Sequence, residues 1–168
     1  IRFFILQSHY RGTLDFSNEA LEGSEKALKR LWEAYEWIVK YEVSSKYEAK
    51  DKQLDEKVNG LIADFEESIN DDLNTAKVLA GMFELVSVIN GIKDKHIAAD
   101  ALSSQTILLL QTQLKIYIEA IFGLKNINAE DSGKLAGVVQ LLAELRKEAK
   151  TKKDFVTSDK IRNQLSEL

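Results

Sequence analysis

Apolar residues recur at helical spacing along most of the chain. Between Leu21 and Ile38 they are separated by steps of three and four residues, the pattern of an amphipathic helix with a coiled-coil-like seam. Ser17 and Asn18 precede this stretch and offer side-chain oxygens to the unpaired N–H groups of a first helical turn, whose positive end also favours Glu19. The pattern therefore predicts a long helix that begins close to Ser17.

Two further helices are predicted on either side of a tight corner. Apolar residues at helical steps run over 54–69 and again over 78–89, and the polar stretch 70–72 interrupts them. Asn74 is the expected cap of the second helix, because its side chain can accept from N–H groups two or three residues further on. Gly91 is expected to mark the end of that helix.

The rest of the chain carries the same pattern between polar connections. Residues 42–51 lose the apolar repeat and are predicted to form a mobile connection between two helices. Two serines precede a further helix with apolar residues over 107–122, and Gly123 is expected to close it. After a polar loop, a helix over 135–145 and a last helix capped by Asp154 are predicted to form a pair.

Composition favours the all-α class. The chain contains no proline, so no position is barred from a helix interior by a missing N–H. It contains no cysteine, which excludes disulfides and suits a reducing compartment. No run approaches the roughly 18 apolar residues of a membrane-spanning helix, and the apolar start lacks a signal-peptide cleavage site. We expect a cytoplasmic helical bundle, cut from a longer protein because it begins without methionine inside an apolar segment.

Few residues suggest catalysis or metal binding. The 8 glycines form neither G-x-G-x-x-G nor G-x-x-x-x-G-K, and His9 and His96 lie 87 positions apart. Asp71 and Asp72 are adjacent carboxylates of the kind that can share a proton or hold a hard cation. However, neighbouring residues on a helix point in different directions, and acidic residues at a helix start are ordinary capping chemistry. We expect no catalytic residue, no metal site and no cofactor in this chain.

Basic residues are concentrated near the C-terminus. The whole chain carries a formal charge of −4, which argues against a surface that is basic throughout. Over 143–162, seven basic residues outnumber four acidic ones and give a local charge of +3. This excess favours contact with nucleic-acid phosphates, although alternating Lys and Glu are also ordinary on a solvated helix. The basic residues are Arg146, Lys147, Lys150, Lys152, Lys153, Lys160 and Arg162.

Three stretches, in this order, resemble the cysteinyl-tRNA synthetase family. The first is RFFILQSHYRGTLDFS at 2–17, the second is DDLNT at 71–75 with the apolar helix after it, and the third is RKEAKTKKDFVTSDKIR at 146–162. The second and third motifs are each moderately specific alone, and the order and spacing of the three across nearly the whole chain make the resemblance strong. The Ser-His-Tyr-Arg run at 8–11 points to the cysteine enzymes rather than to the related arginine and methionine ones.

The resemblance implies both a fold and a role. The fold would be a helical bundle of the class I synthetase anticodon-binding (DALR-like) type with a terminal helical pair. Residues 1–16 would form a connecting helix and loop from an upstream catalytic domain, residues 17–125 would form the helical bundle, and residues 126–168 would form the C-terminal helical pair. The bundle would bind tRNA(Cys) and position it for aminoacylation by the catalytic domain, which in the family uses ATP and holds zinc. The expected partners are tRNA(Cys) and that domain of the same polypeptide, in a monomer without membrane contact.

The motifs and the charge pattern together give a set of candidate tRNA contacts. Arg11 is the candidate in the 8–11 run, because a guanidinium pairs with a phosphate or with a carboxylate across an interface. The same run can instead be a helix end whose side chains hold the next loop. Trp32 and Tyr35 are expected in the core, whereas Trp37 lies off the seam, exposed or packed on another domain. The candidate set is Arg11, Arg146, Lys150, Lys152, Lys153, Lys160 and Arg162.

Two other functions remain open. A helical protein-interaction scaffold without RNA binding would need only the apolar seams and the acidic overall charge. A ligase that joins cysteine to an amino sugar shares the catalytic fold of the family, but it has no need of the basic segment 146–162.

Overall fold

A computed structural model describes residues 1–43, 45–126, 141–142, 144–151, 154, 157 and 159–160. The regular structure of these residues is helical, in agreement with the predicted all-α class. The chain divides into two compact units, Ile1–Leu124 and Lys125–Leu168. The helices of the first unit are α1 (Arg2–Leu6), α2 (Asn18–Val39), α3 (Lys52–Asn70), α4 (Thr75–Lys93) and α5 (Ser104–Lys115), and α5 continues into a π-helical turn (Ile116–Ile121).

Side-chain caps fix the starts of the four long helices. Ser17 accepts a hydrogen bond from the Ala20 N–H at 3.3 Å, and Asn74 accepts one from the Lys77 N–H at 3.1 Å. Both predicted starts are therefore confirmed. Asp51 and Ser103 cap α3 and α5 in the same way. Each cap satisfies one of the N–H groups that the first turn of a helix leaves without a partner.

Helix α4 is the central helix of the first unit and packs against both α2 and α3. Among the described residues it is the one helix long and apolar enough to cross a membrane by length and composition. A helix with this length and apolar composition was not predicted from the sequence. Its apolar character has a structural explanation, because eight of its residues are buried and contribute to the core. They are Val78, Leu79, Met82, Leu85, Val86, Val88, Ile89 and Ile92.

The predicted end of α4 at Gly91 is wrong, because the helix continues to Lys93. Lys95 adopts a left-handed φ of +62°, and the N–H groups of Lys95 and His96 bond back to the carbonyls of Ile92 and Gly91. This is a Schellman-type helix end in which lysine takes the place usual for glycine. Gly91 serves a packing role instead, since a Cβ atom there would lie 2.6 Å from the Cδ1 of Ile97.

The connection between α2 and α3 is irregular, as predicted, but its backbone is tied to the segment that precedes α5. The Tyr47 carbonyl accepts from the Ser104 N–H at 3.1 Å, and the Tyr47 N–H donates to the Ser104 hydroxyl at 3.2 Å. The N–H groups of Lys50 and Asp51 bond to carbonyls of residues 100 and 101. A segment predicted to be mobile therefore has paired backbone groups at three of its described residues, Tyr47, Lys50 and Asp51.

The π-helical turn ends the first unit. The Phe122 N–H bonds to the Tyr117 carbonyl at 2.8 Å, five residues back, and Gly123 follows with a left-handed φ of +56°. Gly123 therefore closes the helix, as predicted, because glycine adopts this conformation without steric strain. Glu119 in the turn accepts a hydrogen bond of 2.5 Å from the Tyr35 hydroxyl on α2.

The second unit is helical at the described residues 141–142, 144–151, 157 and 159–160. Asp154 accepts from the Thr157 N–H at 3.1 Å, so the predicted cap of the last helix is confirmed. This hydrogen bonding lowers the pKa of Asp154. The predicted helix start at 135–140 and the apolar positions Phe155, Ile161 and Leu165 lie outside the described residues.

Candidate nucleic-acid interface

The first two motifs of the sequence meet at one side chain, the carboxylate of Asp72. Tyr10 donates its hydroxyl to Asp72 Oδ1 at 2.5 Å, and the Arg11 Nη1 atom lies 3.0 Å from Asp72 Oδ2. His9 Nε2 is 3.6 Å from the same oxygen. Three consecutive residues of the first motif thus converge on one residue about 60 positions later in the chain.

The three side chains also stack on one another. The rings of His9 and Tyr10 have centroids 4.9 Å apart and planes inclined by 28°. The Arg11 guanidinium lies 5.3 Å above the Tyr10 ring, within the range of a cation–π contact. The hydrogen bond to Asp72 raises the pKa of Tyr10, which favours the protonated, donating hydroxyl. We call His9, Tyr10, Arg11 and Asp72 the Asp72 cluster.

The corner that presents Asp72 has an unusual backbone. Asp72 and Leu73 have φ values of +59° and +53°, in the left-handed region that residues other than glycine rarely adopt. The corner is held by backbone bonds from the N–H groups of Leu73 and Asn74 to the carbonyls of Ile69 and Ser68. Each such residue costs about 1–2 kcal/mol, so the surrounding bonds must stabilise the corner.

Segment 1–16 is attached to the bundle at further points. The Thr75 hydroxyl donates to the carbonyl of Leu6 at 2.8 Å, and Phe3 and Phe4 of α1 are buried. The Arg2 guanidinium donates to the Gly123 carbonyl at 2.6 Å. Of the two interpretations of the 8–11 run, the structure supports side chains that tie segments of the chain together.

Arg11, the predicted contact in the first unit, is therefore already engaged by a carboxylate, although its side chain remains 69% exposed. From the sequence, Asp72 was interpreted as an acidic residue at a helix start, and its role as the acceptor for the first motif was not predicted. The signal that was available is the co-occurrence of the two motifs in one family, which marks both as constrained but does not say that they touch.

The predicted basic contacts lie in the second unit, where three of them are described. Lys150 and Lys160 are exposed, as a contact with phosphate requires. Arg146 is half-buried, and its Nε atom is buried without a hydrogen-bond partner among the described residues. The three remaining candidates, Lys152, Lys153 and Arg162, lie outside the described residues.

The two units differ in formal charge. Residues 1–124 contain 14 Lys and Arg against 20 Asp and Glu, a charge of −6. Residues 125–168 contain 9 basic and 7 acidic residues, a charge of +2. Since the phosphate backbone is attracted to basic surface, the second unit offers the more favourable field for a nucleic acid.

The tryptophans do not provide an aromatic surface for bases. Trp32 and Tyr35 are 9% and 5% exposed, so their predicted place in the core is confirmed. The Trp32 Nε1 atom is buried without a hydrogen-bond partner among the described residues. Trp37 is half-buried, with its ring centroid 5.2 Å from that of Tyr41, and packs against the core of the first unit.

Comparisons with known proteins agree with this architecture. Residues 64–126, from within α3 to just beyond the π-helical turn, match the DALR domain family. Cysteine–tRNA ligase of Parabacteroides distasonis is 41% identical over 170 residues, covering 99% of this chain and 32% of that protein. The enzymes of Bacteroides thetaiotaomicron and Chlorobaculum tepidum are 42% and 39% identical and cover 100% and 99% of the chain.

The fold and the matched domain define a DALR-type helical bundle of the class I aminoacyl-tRNA synthetases. Within that class, the chain belongs to the cysteine–tRNA ligase family, which confirms the resemblance found in the sequence. The chain spans about a third of the length of the relatives it matches.

Proposed function

We propose that this chain is the tRNA-binding helical module of a cysteine–tRNA ligase and positions tRNA(Cys) for ATP-dependent aminoacylation by the rest of the polypeptide. The observation that carries the proposal is the match over 99–100% of the chain to proteins named cysteine–tRNA ligase. The catalytic domain of the same polypeptide is then its partner. The module acts in the cytoplasm, in a monomeric enzyme.

The charge distribution supports different roles for the two units, with phosphate contact in the second unit and positioning in the first. The second unit supplies lysines that neutralise phosphates, and each contact releases counterions and so adds to the salt dependence of binding. The first unit is acidic, which disfavours wrapping of the backbone around it. Its contribution is a rigid apolar core that fixes the geometry between the rest of the enzyme and the bound tRNA.

We propose that the ATP and the zinc that the family implies for the whole enzyme do not bind in this chain. The described part of the chain holds no group of three His, Cys, Asp or Glu side chains with the geometry to bind a metal ion. The sequence has no cysteine and only two histidines. We place the binding of both cofactors in the remaining two-thirds of the enzyme.

Titration of the 168-residue chain with a tRNA(Cys) transcript at several salt concentrations tests the proposal. We expect weak binding whose logarithm falls linearly with the logarithm of salt concentration. In the double variant Lys150→Ala/Lys160→Ala the slope should become shallower by roughly one to two units. The variant Lys26→Ala/Lys29→Ala is the matched control, because it removes the same charge from exposed positions of α2.

Two results would count against the proposal. The first is equal loss of affinity and slope in both double variants, which would make the effect one of net charge alone. The second is equally poor binding of tRNA(Cys) and an unrelated RNA at low salt. That outcome would favour the second candidate function, a protein-interaction scaffold. The observation that favours a scaffold is a set of exposed apolar residues on α5 and the π-helical turn, Leu108, Leu109, Ile116 and Ile121.

A further inference from the structure

Tyr10 and Arg11 remain open to solvent although both are held in place. The Tyr10 residue is 61% exposed and the Arg11 side chain 69% exposed, whereas the side chains of His9 and Asp72 are 30% and 37% exposed. The Tyr10 hydroxyl and the Arg11 Nη1 atom both pair with the Asp72 carboxylate. The cluster therefore presents an aromatic ring and a guanidinium whose rotation is restricted by a shared anchor.

The geometry of Arg11 favours contact through its face rather than its edge. Hydrogen bonds of a guanidinium lie in its plane, and the pairing with Asp72 uses part of that edge. The flat faces carry no hydrogen-bond donor and stack on aromatic groups even when the edge is paired. One such stacking contact, with the Tyr10 ring, is present in the structure.

The local charge also disfavours a phosphate at this place. Asp72 offsets the charge of Arg11, and the exposed Asp71 adds a further carboxylate beside it in the sequence. The surrounding unit has a formal charge of −6. A nucleobase carries no charge and stacks on aromatic rings or guanidinium planes without a basic surrounding.

We propose that the exposed Tyr10–Arg11 pair is a stacking site for an unpaired nucleobase of the bound RNA, with Asp72 as the residue that positions it. This inference rests on the proposed function and changes the role of Arg11 from a phosphate contact to a stacking surface. The backbone at Asp72 supports it, because left-handed φ values at two consecutive exposed residues are the kind of strain that clusters at ligand sites.

The test is Tyr10→Leu in the 168-residue chain, measured with a tRNA(Cys) transcript and with a blunt-ended RNA duplex. Stacking on one base predicts that Tyr10→Leu weakens tRNA binding by about 5- to 150-fold. The slope of affinity against salt should stay unchanged, since no phosphate contact is lost. Binding of the duplex, which has no unpaired base, should also stay unchanged. Phe16→Leu is the matched control, because Phe16 is an aromatic residue of the same segment with 63% exposure.

Arg11→Lys provides a second measurement. It keeps the charge next to Asp72 and removes the planar face, so we expect weaker tRNA binding with the same salt slope. The unfolding temperature of each variant shows whether the fold is intact. Unchanged tRNA affinity in both Tyr10→Leu and Arg11→Lys, or an equal loss in Phe16→Leu, overturns the stacking site. If the slope still responds to Lys150→Ala/Lys160→Ala, the proposed function survives that result; a chain that binds no tRNA overturns both.

Discussion

The Arg2 guanidinium donates a hydrogen bond of 2.6 Å to the carbonyl of Gly123, 121 positions later in the chain. This bond joins the first helix to the residue at which the chain leaves the bundle. Gly123 has a left-handed φ of +56°, and a Cβ atom on it would lie 2.6 Å from Arg2 Nη1. The position thus disfavours a side chain mainly for a conformational reason, because the exposed end of Arg2 can move aside at the cost of its hydrogen bond.

The first prediction is that Gly123→Ala destabilises the protein by about 2 kcal/mol. The left-handed conformation costs a non-glycine residue about 1–2 kcal/mol, and displacement of Arg2 adds the loss of an exposed hydrogen bond. For a chain of this size the unfolding temperature should fall by roughly 4–8 °C in a thermal melt followed by circular dichroism.

Gly60→Ala is the control for that substitution. Gly60 lies inside α3, and a Cβ atom there would have nothing within 4 Å. Because alanine has the higher helix propensity, this variant should be more stable by up to about 1 kcal/mol. If both substitutions shifted the melting temperature in the same direction, the special role of Gly123 would be refuted.

The second prediction concerns the attachment of segment 1–16. Asp72→Asn keeps a residue that tolerates a left-handed φ but removes the charge that Arg11 and Tyr10 share. We expect amide hydrogen exchange of residues 7–16 to become roughly 5-fold faster, because an exposed ion pair contributes only modestly to the attachment of the segment. Exchange in α4 should not change. Asp71→Asn removes the same charge one residue earlier, and comparable acceleration there would show that net charge, not the cluster, is responsible.

The third prediction is a loss of stability at alkaline pH through Tyr35. Burial, together with the hydrogen bond to Glu119, raises the pKa of Tyr35 well above its ordinary value of 10.0. The folded protein therefore holds this proton more tightly than the unfolded chain. The stabilisation is fully present below pH 10 and is lost as pH rises from 10 towards the folded pKa, with a slope of about 1.4 kcal/mol per pH unit for one proton.

Urea denaturation at a series of pH values from 8 to 11.5 measures this slope. Tyr35→Phe removes the titrating group, so its free energy of unfolding should fall less steeply above pH 10 than that of the unmodified protein. Glu119→Gln keeps a hydrogen-bond acceptor but removes the charge, so the folded pKa of Tyr35 should fall, and the loss of stability should begin at the same pH but level off at a lower pH. If Tyr35→Phe left the slope unchanged, other tyrosines would have to account for the alkaline loss.

The fourth prediction tests the packing role of Gly91. Gly91→Ala places a methyl group 2.6 Å from Ile97 Cδ1 and 2.9 Å from its Cγ1, while improving helix propensity by about 1 kcal/mol. The alanine should therefore stabilise the protein when residue 97 is small. In a double-mutant cycle with Ile97→Ala, we expect a favourable coupling of about 1 kcal/mol between the two substitutions. Simple additivity would mean that Ile97 moves aside at no cost.

Local patterns were sufficient to predict the long helices of the first unit and the caps at Ser17, Asn74 and Asp154. The starts at Ser17 and Asn74 follow from side-chain oxygens placed before an apolar repeat, which is information within one turn of the chain. The end of α4 could not be predicted in the same way. A glycine in the last turns of a helix predicts that the helix ends there. At Gly91 the glycine instead leaves room for Ile97 from the following loop, and this contact depends on the fold.

The candidate site shows the same limit. Arg11 was identified from its residue type and motif, but its partner Asp72 comes from a corner that also holds Leu73 in the left-handed region, which leucine rarely adopts. The basic residues of the second unit were visible as composition, and exposure at Lys150 and Lys160 agrees with that interpretation. Arg146 is half-buried because of tertiary packing, which cannot be inferred from the number of charged residues in the segment.

In the π-helical turn at 116–121, the local structure depends on the number of residues as well as on which residues they are. Such a turn contains one residue more than an α-helical turn would need. Deleting a single residue after Glu119 would therefore leave an ordinary α-helical turn, and Gly123 would keep nearly the same direction around the helix axis as before. The contacts of Gly123 with Arg2 and of Glu119 with Tyr35 could then persist. A one-residue deletion within the regular part of α5 would instead rotate the following residues by about 100°, so we expect a deletion to be tolerated better in the π-helical turn than in α5.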